Sequence, residues 1–580
     1  MKRILLSLLP VLVNACAGVS PHAPPGPTAA APYDVIIEGG RVVDGTGAAW
    51  FYGDVAIRGD RIMRVAPAGV LREEPARERL DARGMVVAPG FIDIQSHSRG
   101  AFLRGDARVV GKVTQGITTE IMGESSTNAP LSARMLEQAL ADADGEEDRR
   151  LVREFMGRGG FDRWLRAMEA RGVSPNIGSF VGATTIREYG KGEAMGSASP
   201  AELDSMKHAV RWAMEEGAFG IGSALIYPPG NFASIEELIE INRAAAPYGG
   251  AYITHMRSEA DQLLEAIDEA IRIGREAGVP VEIYHLKAAG KRNWTKMAQA
   301  IAKIDSARAA GSDVQANMYP YPAGGTGLSA CLPPWASEDG KLLDNLRDSA
   351  TRARIRAEML STEPKNWEDL CTLSTPEGVL LVGFQKPENR PWIGKRLSEV
   401  TAAMGKDWVD TVLDLLASDE SRIETLYFMM SEDNVRLGLR QPWIKFGTDA
   451  GGMDPDSALA RGALAHPRAY GTFPRILGRY VREEGVLPLE EAVRKMSSAV
   501  ATRLSLDDRG VLREGMYADV VVFDPETITD RATFEQPHQL SVGVRDVFIN
   551  GVGVVRAGKH TGARPGRIVR GPGYRGGDQP

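Results

Sequence analysis

Two periodicities divide the chain. Residues 33–66 alternate apolar and polar positions, as in YDVIIEGGRVVDGTG and DVAIRGDRIMRVAP, with Gly-containing turns between. A period of two predicts short, half-buried strands. The same texture returns at 510–524 (GVLREGMYADVVVFD) and 544–555 (VRDVFINGVGVV). Strand-rich pieces at opposite ends predict one small composite β-sandwich domain, over 33–84 and 505–560, built from both ends of the chain.

Between them, short apolar runs alternate with stretches of helical period. The runs 85–95, 117–123, 176–182, 220–225, 251–256, 281–286, 313–319 and 444–449 are candidate strands. A helix is predicted from Ser199–Pro200, where Ser199 is the N-cap and Glu202 follows three residues later. Another covers 262–277, with Leu263, Ile267, Ala270 and Ile271 on one face and Gly278 as its stop. Eight strand–helix units over 85–504 predict an α/β fold, a closed (β/α)8 TIM-like barrel; a doubly wound open sheet is the alternative. The stretch 323–440 is too long for a loop and carries helical pattern at 408–417, so it is expected to be a helical insertion, or lid, before the last barrel strand.

The ends read differently. Met1–Lys2–Arg3 followed by ILLSLLPVLV predicts a signal peptide over 1–16, too short to span a bilayer. Cys16 in VNAC resembles a lipobox cysteine, although Asn14 departs from that pattern. A periplasmic or envelope-associated bacterial protein, with a lipid anchor at Cys16 or simple secretion, is the expectation. Residues 17–32 read as a disordered Pro/Ala tether, and 561–580 as a disordered Gly/Pro/Arg tail.

The chain has 580 residues, above the roughly 250–300 at which one core stops growing. Its formal net charge of −7 argues against nucleic acid as a partner, which needs a basic footprint. Three cysteines cannot make a disulfide scaffold; Cys331 and Cys371 are free to pair in an oxidising compartment, but spacing does not decide it.

Active sites of such barrels lie at the carboxyl ends of the strands. The chain has eight histidines, and His97, His255 and His285 fall at predicted strand ends, with Glu124 and Asp449 at two others. Imidazoles and carboxylates converging on one open mouth suit Zn2+ or a similar divalent ion.

Longer segments then become recognisable: PGFIDIQSHS (89–98), VTQGITTEIMGES (113–125), EEGAFGIGSALIYPPG (215–230), YITHMRSE (252–259), VEIYHLKAAG (281–290), NMYPYPAGGTGL (317–328), FGTDAG (446–451) and HPRAYGTFPRILGRYVRE (466–483). Over about 33–556 the chain resembles the amidohydrolase superfamily, and within it the N-acyl-D-amino-acid deacylase (D-aminoacylase) family, as a divergent member. The resemblance implies hydrolysis of the amide of an N-acylated amino acid, a small-molecule substrate. It implies His255 and His285 as metal ligands, His97 as the second histidine of a strand-one pair, and Asp449 as the catalytic base and proton shuttle. It also implies Tyr227, Lys287 and Arg468 as ligands of the substrate carboxylate, chemistry that a guanidinium fork and an ammonium supply.

The chain departs from the family pattern at specific positions. Gln95 stands for the first histidine of the strand-one pair, Glu124-Ser125 stand for Asn-Cys, and Ala183 stands where a histidine often follows strand three. A neutral serine hydroxyl replaces a thiolate poorly, whereas Glu124 supplies an anionic oxygen that zinc binds at about 2.0–2.2 Å. The expected tight site is therefore Glu124, His255 and His285. His97, with Gln95 and Asp449, makes a weaker second site, so one Zn2+ rather than two is expected, with other divalent ions admissible. Hydrolysis of another linear or cyclic amide or small peptide is the runner-up. A non-catalytic periplasmic binding protein on a degenerate barrel is the alternative of another class.

Overall fold

The computed structural model describes residues 31–363 and 365–576. The signal-peptide reading, Cys16 and most of the tether lie outside the described residues. Among the described residues, no helix is long and apolar enough to cross a membrane.

Eight parallel strands form the barrel: Phe91–Asp93, Ile117–Met122, Asn176–Ser179 continued by Val181–Gly182, Gly220–Ala224, Ala251–His255, Val281–Ile283, Val314–Met318 and Ile444–Phe446. The first three pair in sequence, and the last six pair in sequence from Val181–Gly182 to Ile444–Phe446. A parallel bridge between Ser96 and Ala450 joins the first strand to the last. Ile92, Ile94, Ile121, Phe180, Ile253 and Tyr284, drawn from five of the eight strands and their ends, make one apolar cluster. Burial of such side chains contributes about 1.5–3 kcal/mol each. The Ser199 prediction holds: its side chain accepts from Glu202 N, Glu202 caps in return, and the helix runs Pro200–Glu215. The helix Leu263–Ala277 ends before Gly278, which has φ +75°.

The run 85–95 divides in two. Val86–Pro89 pairs with Tyr33–Val42 and with Val520–Phe523 in the end domain, and only Phe91–Asp93 enters the barrel. Strands from both chain ends share one nine-stranded hydrogen-bonded sheet. The stretch 323–440 carries a sheet of its own, with Glu424–Tyr427 between Gly324–Gly327 and Val379–Gly383, and helices including Trp408–Asp419. Cys331 and Cys371 are disulfide-bonded within this insert, with Cα atoms 5.2 Å apart.

The tail corrects an expectation. Residues 561–576 are ordered against the amino-terminal face of the barrel, not disordered. Val569 N donates to Ile177 O at 2.8 Å, Gly571 N to Gly217 O at 2.9 Å, and Gly566 N to Val173 O at 2.9 Å. Val569 is buried in the barrel's apolar cluster. Arg570 pairs with Asp162 at 2.5 Å and Arg567 with Asp60 at 2.7 Å. Composition suggested a polar, glycine-rich coil; tertiary partners for its backbone and guanidinium groups fix it instead.

Candidate metal centre and active site

The strand ends deliver the polar side chains to one mouth. After Ile117–Met122 the chain turns at Gly123, with φ +107°, where a Cβ would sit 2.1 Å from Phe180 O. Only glycine fits that turn, and the next residue is Glu124. His255 closes the fifth strand. His285 and Asp449 lie just beyond the sixth and eighth strands at φ 34° and 50°, a left-handed region that costs a non-glycine residue about 1 kcal/mol or more. Fixed partners hold them there: His285 N donates to Asn317 Oδ1 at 2.9 Å, and Asp449 N to Gln95 O at 2.9 Å.

Beneath His97 and Asp449 lies a fully buried ionic cluster. Lys112 Nζ is 2.7 Å from Asp93 Oδ2, and Thr448 N and Oγ1 both donate to Asp93. Ser96 and Ser98, on either side of His97, donate to Glu120 Oε2 at 2.5 Å.

Glu124 is the centre of the mouth. Its Oε1 lies 3.3 Å from His255 Nδ1 and 3.6 Å from His285 Nε2. Four ligands at 2.0–2.1 Å from zinc stand about 3.3–3.4 Å apart along the edges of a tetrahedron. The separations from Glu124 thus match a ligand set, and all three ligand atoms lie within 4.8 Å of one another. A carboxylate oxygen with two imidazole nitrogens is also the donor chemistry zinc accepts. The residues present fit a divalent ion.

Glu124 Oε2 faces the other way. It is 3.5 Å from His97 Nε2 and accepts from Gln95 Nε2 at 2.5 Å. His97 Nε2 also meets Asp449 Oδ1 at 2.9 Å, and Arg468 Nη1 holds Asp449 Oδ2 at 2.7 Å. His97, Glu124 and Asp449 thus form a second group of suitable ligand atoms, sharing Glu124 with the first.

The electrostatics are those of a cation site. Burial and Lys287 push the His285 imidazole down, yet Glu259, Asp449 and Glu124 outweigh them and raise it to about 9. Burial likewise opposes ionisation of Asp449, but the Arg468 guanidinium and His285 hold its carboxyl down, at about 2. Buried carboxylates in excess around imidazoles are stabilised by positive charge.

Tyr227, Lys287 and Arg468 all line the same cavity, of about 910 Å3. Tyr227 stands on its wall with its ring 5.4 Å from that of His255. Arg468 is buried, stacks over Tyr319 at 4.6 Å and already pairs with Asp449. Its backbone N donates to His466 Nδ1 at 3.0 Å, and His466 Nε2 donates to Ala323 O at 2.9 Å. Lys287 is less free than its expected role supposes: its ammonium donates to Glu259 Oε1 at 2.6 Å and lies 2.7 Å from His285 Nδ1. Ser125 faces Thr184 at 3.1 Å, and Ala183 opens the helix after strand three. Sequence reasoning missed Glu259 and Tyr319. Both lie in recognised segments, YITHMRSE and NMYPYP, one to four residues past a strand end, which was the available signal.

Comparison with known proteins places the chain in a family. The family model described as "Amidohydrolase family" matches residues 182–555. D-aminoacylase of Alcaligenes xylosoxydans xylosoxydans is 34% identical over 539 residues, 93% of this chain and 98% of the relative. N-acyl-D-glutamate deacylase of the same organism is 35% identical over 540 residues, 93% of this chain and 96% of the relative. The solved N-acyl-D-glutamate deacylase of Bordetella bronchiseptica, complexed with zinc and a phosphonate inhibitor, superposes with a TM-score of 0.75 at 30% identity. That alignment covers 93% of this chain and 100% of the solved one. With its closed barrel and these likenesses along nearly its whole length, the chain belongs to the amidohydrolase family, beside the D-aminoacylases and N-acyl-D-amino-acid deacylases.

Proposed function

We propose that this protein hydrolyses the amide bond of N-acyl-D-amino acids with one zinc ion held by Glu124, His255 and His285. The observation that carries the reading is the placement of Glu124 Oε1 3.3 Å and 3.6 Å from the two histidine nitrogens. A carboxylate of the second strand thereby takes the place a neutral Ser125 hydroxyl could not fill. A zinc ion there supplies Lewis acidity toward the amide carbonyl and brings the pKa of water near 7.

Asp449 accepts the proton of the attacking water and returns it to the departing amine nitrogen. Its ion pair with Arg468 keeps it ionised before attack, and His97 orients the other oxygen. Arg468, Tyr227 and Lys287 address the substrate carboxylate, which places the scissile amide over Glu124. Relatives that act on N-acyl-D-glutamate and N-acyl-D-aspartate support a carboxylate-bearing substrate.

Export to an oxidising compartment, with Cys16 as lipid attachment point, is part of this proposal. The Cys331–Cys371 disulfide supports it, because such bonds persist outside the reducing cytosol.

The test is Glu124→Ala. Zinc content and hydrolysis of N-acetyl-D-amino acids should vanish together, while the wild type cleaves D-substrates in preference to L. Retained activity in a zinc-free variant would overturn the reading.

A further inference from the structure

Each ligand imidazole lies between two carboxylates. Glu124 faces one nitrogen of each ring, as described above. Glu259, buried to 3% exposure, faces the opposite nitrogens: Oε1 is 2.9 Å from His285 Nδ1, and Oε2 is 3.5 Å from His255 Nε2. The two rings are nearly perpendicular, at 87°, with centroids 4.4 Å apart, so one carboxylate reaches both with its two oxygens.

His285 Nδ1 has two possible partners. The Lys287 ammonium, at 2.7 Å, can donate to it; alternatively Nδ1–H donates to Glu259. The first choice puts the ring proton on Nε2, the atom that faces Glu124, and leaves no lone pair for a cation there. The second leaves Nε2 free to ligate. Glu259 favours the second, because it accepts from Nδ1–H and also takes the Lys287 ammonium at 2.6 Å. Lys287 is in turn the counter-ion that allows Glu259 to stay ionised while buried.

We infer that Glu259 is a positioning residue that fixes the metal-binding tautomer of His285 and holds Lys287 as its counter-ion. The inference rests on the metal-dependent reading above. It predicts a specific defect: a variant that folds and keeps all three ligands yet binds metal poorly. Carboxylates that accept from the far nitrogen of a ligating histidine typically govern metal affinity by about 10–100-fold.

The experiment compares wild type, Glu259→Gln and the double variant Glu259→Gln/Lys287→Met, each stripped of metal. Zn2+ affinity is measured by competition with a chelator, and the visible spectrum is recorded with Co2+. The double variant removes both buried charges together, so it reports even if the single variant does not fold. Zn2+ affinity should fall about 10–100-fold in the double variant, with an altered Co2+ spectrum. Affinity within threefold of wild type in the double variant would overturn the inference, since the defect would then come only from an unpaired Lys287. If wild-type protein itself binds no zinc, the metal-dependent reading falls first and this inference with it.

Discussion

Gln95 donates its side-chain N–H to Glu124 Oε2 at 2.5 Å, across 29 residues of sequence. Two departures from the family pattern thus meet in one hydrogen bond. The amide occupies the carboxylate oxygen that faces His97 and Asp449, and leaves Oε1 to His255 and His285. The expected outcome is a protein that takes up one zinc per chain. Gln95→His, which adds an imidazole beside His97, should raise stoichiometry toward two at excess Zn2+. Metal analysis of both proteins after gel filtration checks it; equal stoichiometry would show that Gln95 does not set the number.

Asp449 carries the proposed proton transfer. Asp449→Asn keeps the shape but cannot accept a proton, so kcat should fall by about 10²–10⁴-fold. Glu124, His255 and His285 remain, so zinc content should stay near wild type. A variant that loses its zinc instead would place Asp449 among the tight ligands.

Glu188 lines the cavity, and burial and the neighbouring Glu193 push its carboxyl up to about 7. The folded state therefore holds a proton that the unfolded chain releases near 4.5. Between about pH 4.5 and 7 the native protein binds more protons, so this group lowers stability as pH rises. Glu188→Gln removes the effect. Its stability advantage over wild type should be larger at pH 8 than at pH 5 in urea melts; a pH-independent difference would contradict it.

The carboxyl-terminal segment closes the face of the barrel opposite the site. Truncation after residue 560 removes the backbone bonds to Val173, Ile177 and Gly217 and exposes the Val569 pocket. At about 1 kcal/mol per hydrogen bond, a loss of several kcal/mol and a lower melting temperature are expected. Zinc stoichiometry should not change, because no ligand lies on that face.

The Cys331–Cys371 bond closes a loop of 40 residues inside the insert. Replacing both cysteines by serine should cost about 2–4 kcal/mol. Differential scanning calorimetry reads that loss as a lower melting temperature, with zinc affinity unchanged.

Local chemistry decided much of this protein in advance. Period-two runs marked the end domain, eight alternations marked the barrel, and His97, Glu124, His255, His285 and Asp449 stood where strands end. Those features depend on neighbours a few residues away, so a linear reading finds them. Tertiary structure alone decided which of these side chains meet. His255 stands four residues before Glu259, but nothing local reveals that the same carboxylate will also face His285 and the Lys287 ammonium. No local signal shows that Gln95 will clamp Glu124, or that a glycine-rich tail will find backbone partners on the barrel. Hydrogen bonds and ion pairs act over about 3 Å between residues that chain topology brings from tens or hundreds of positions apart, and only the folded arrangement fixes those distances.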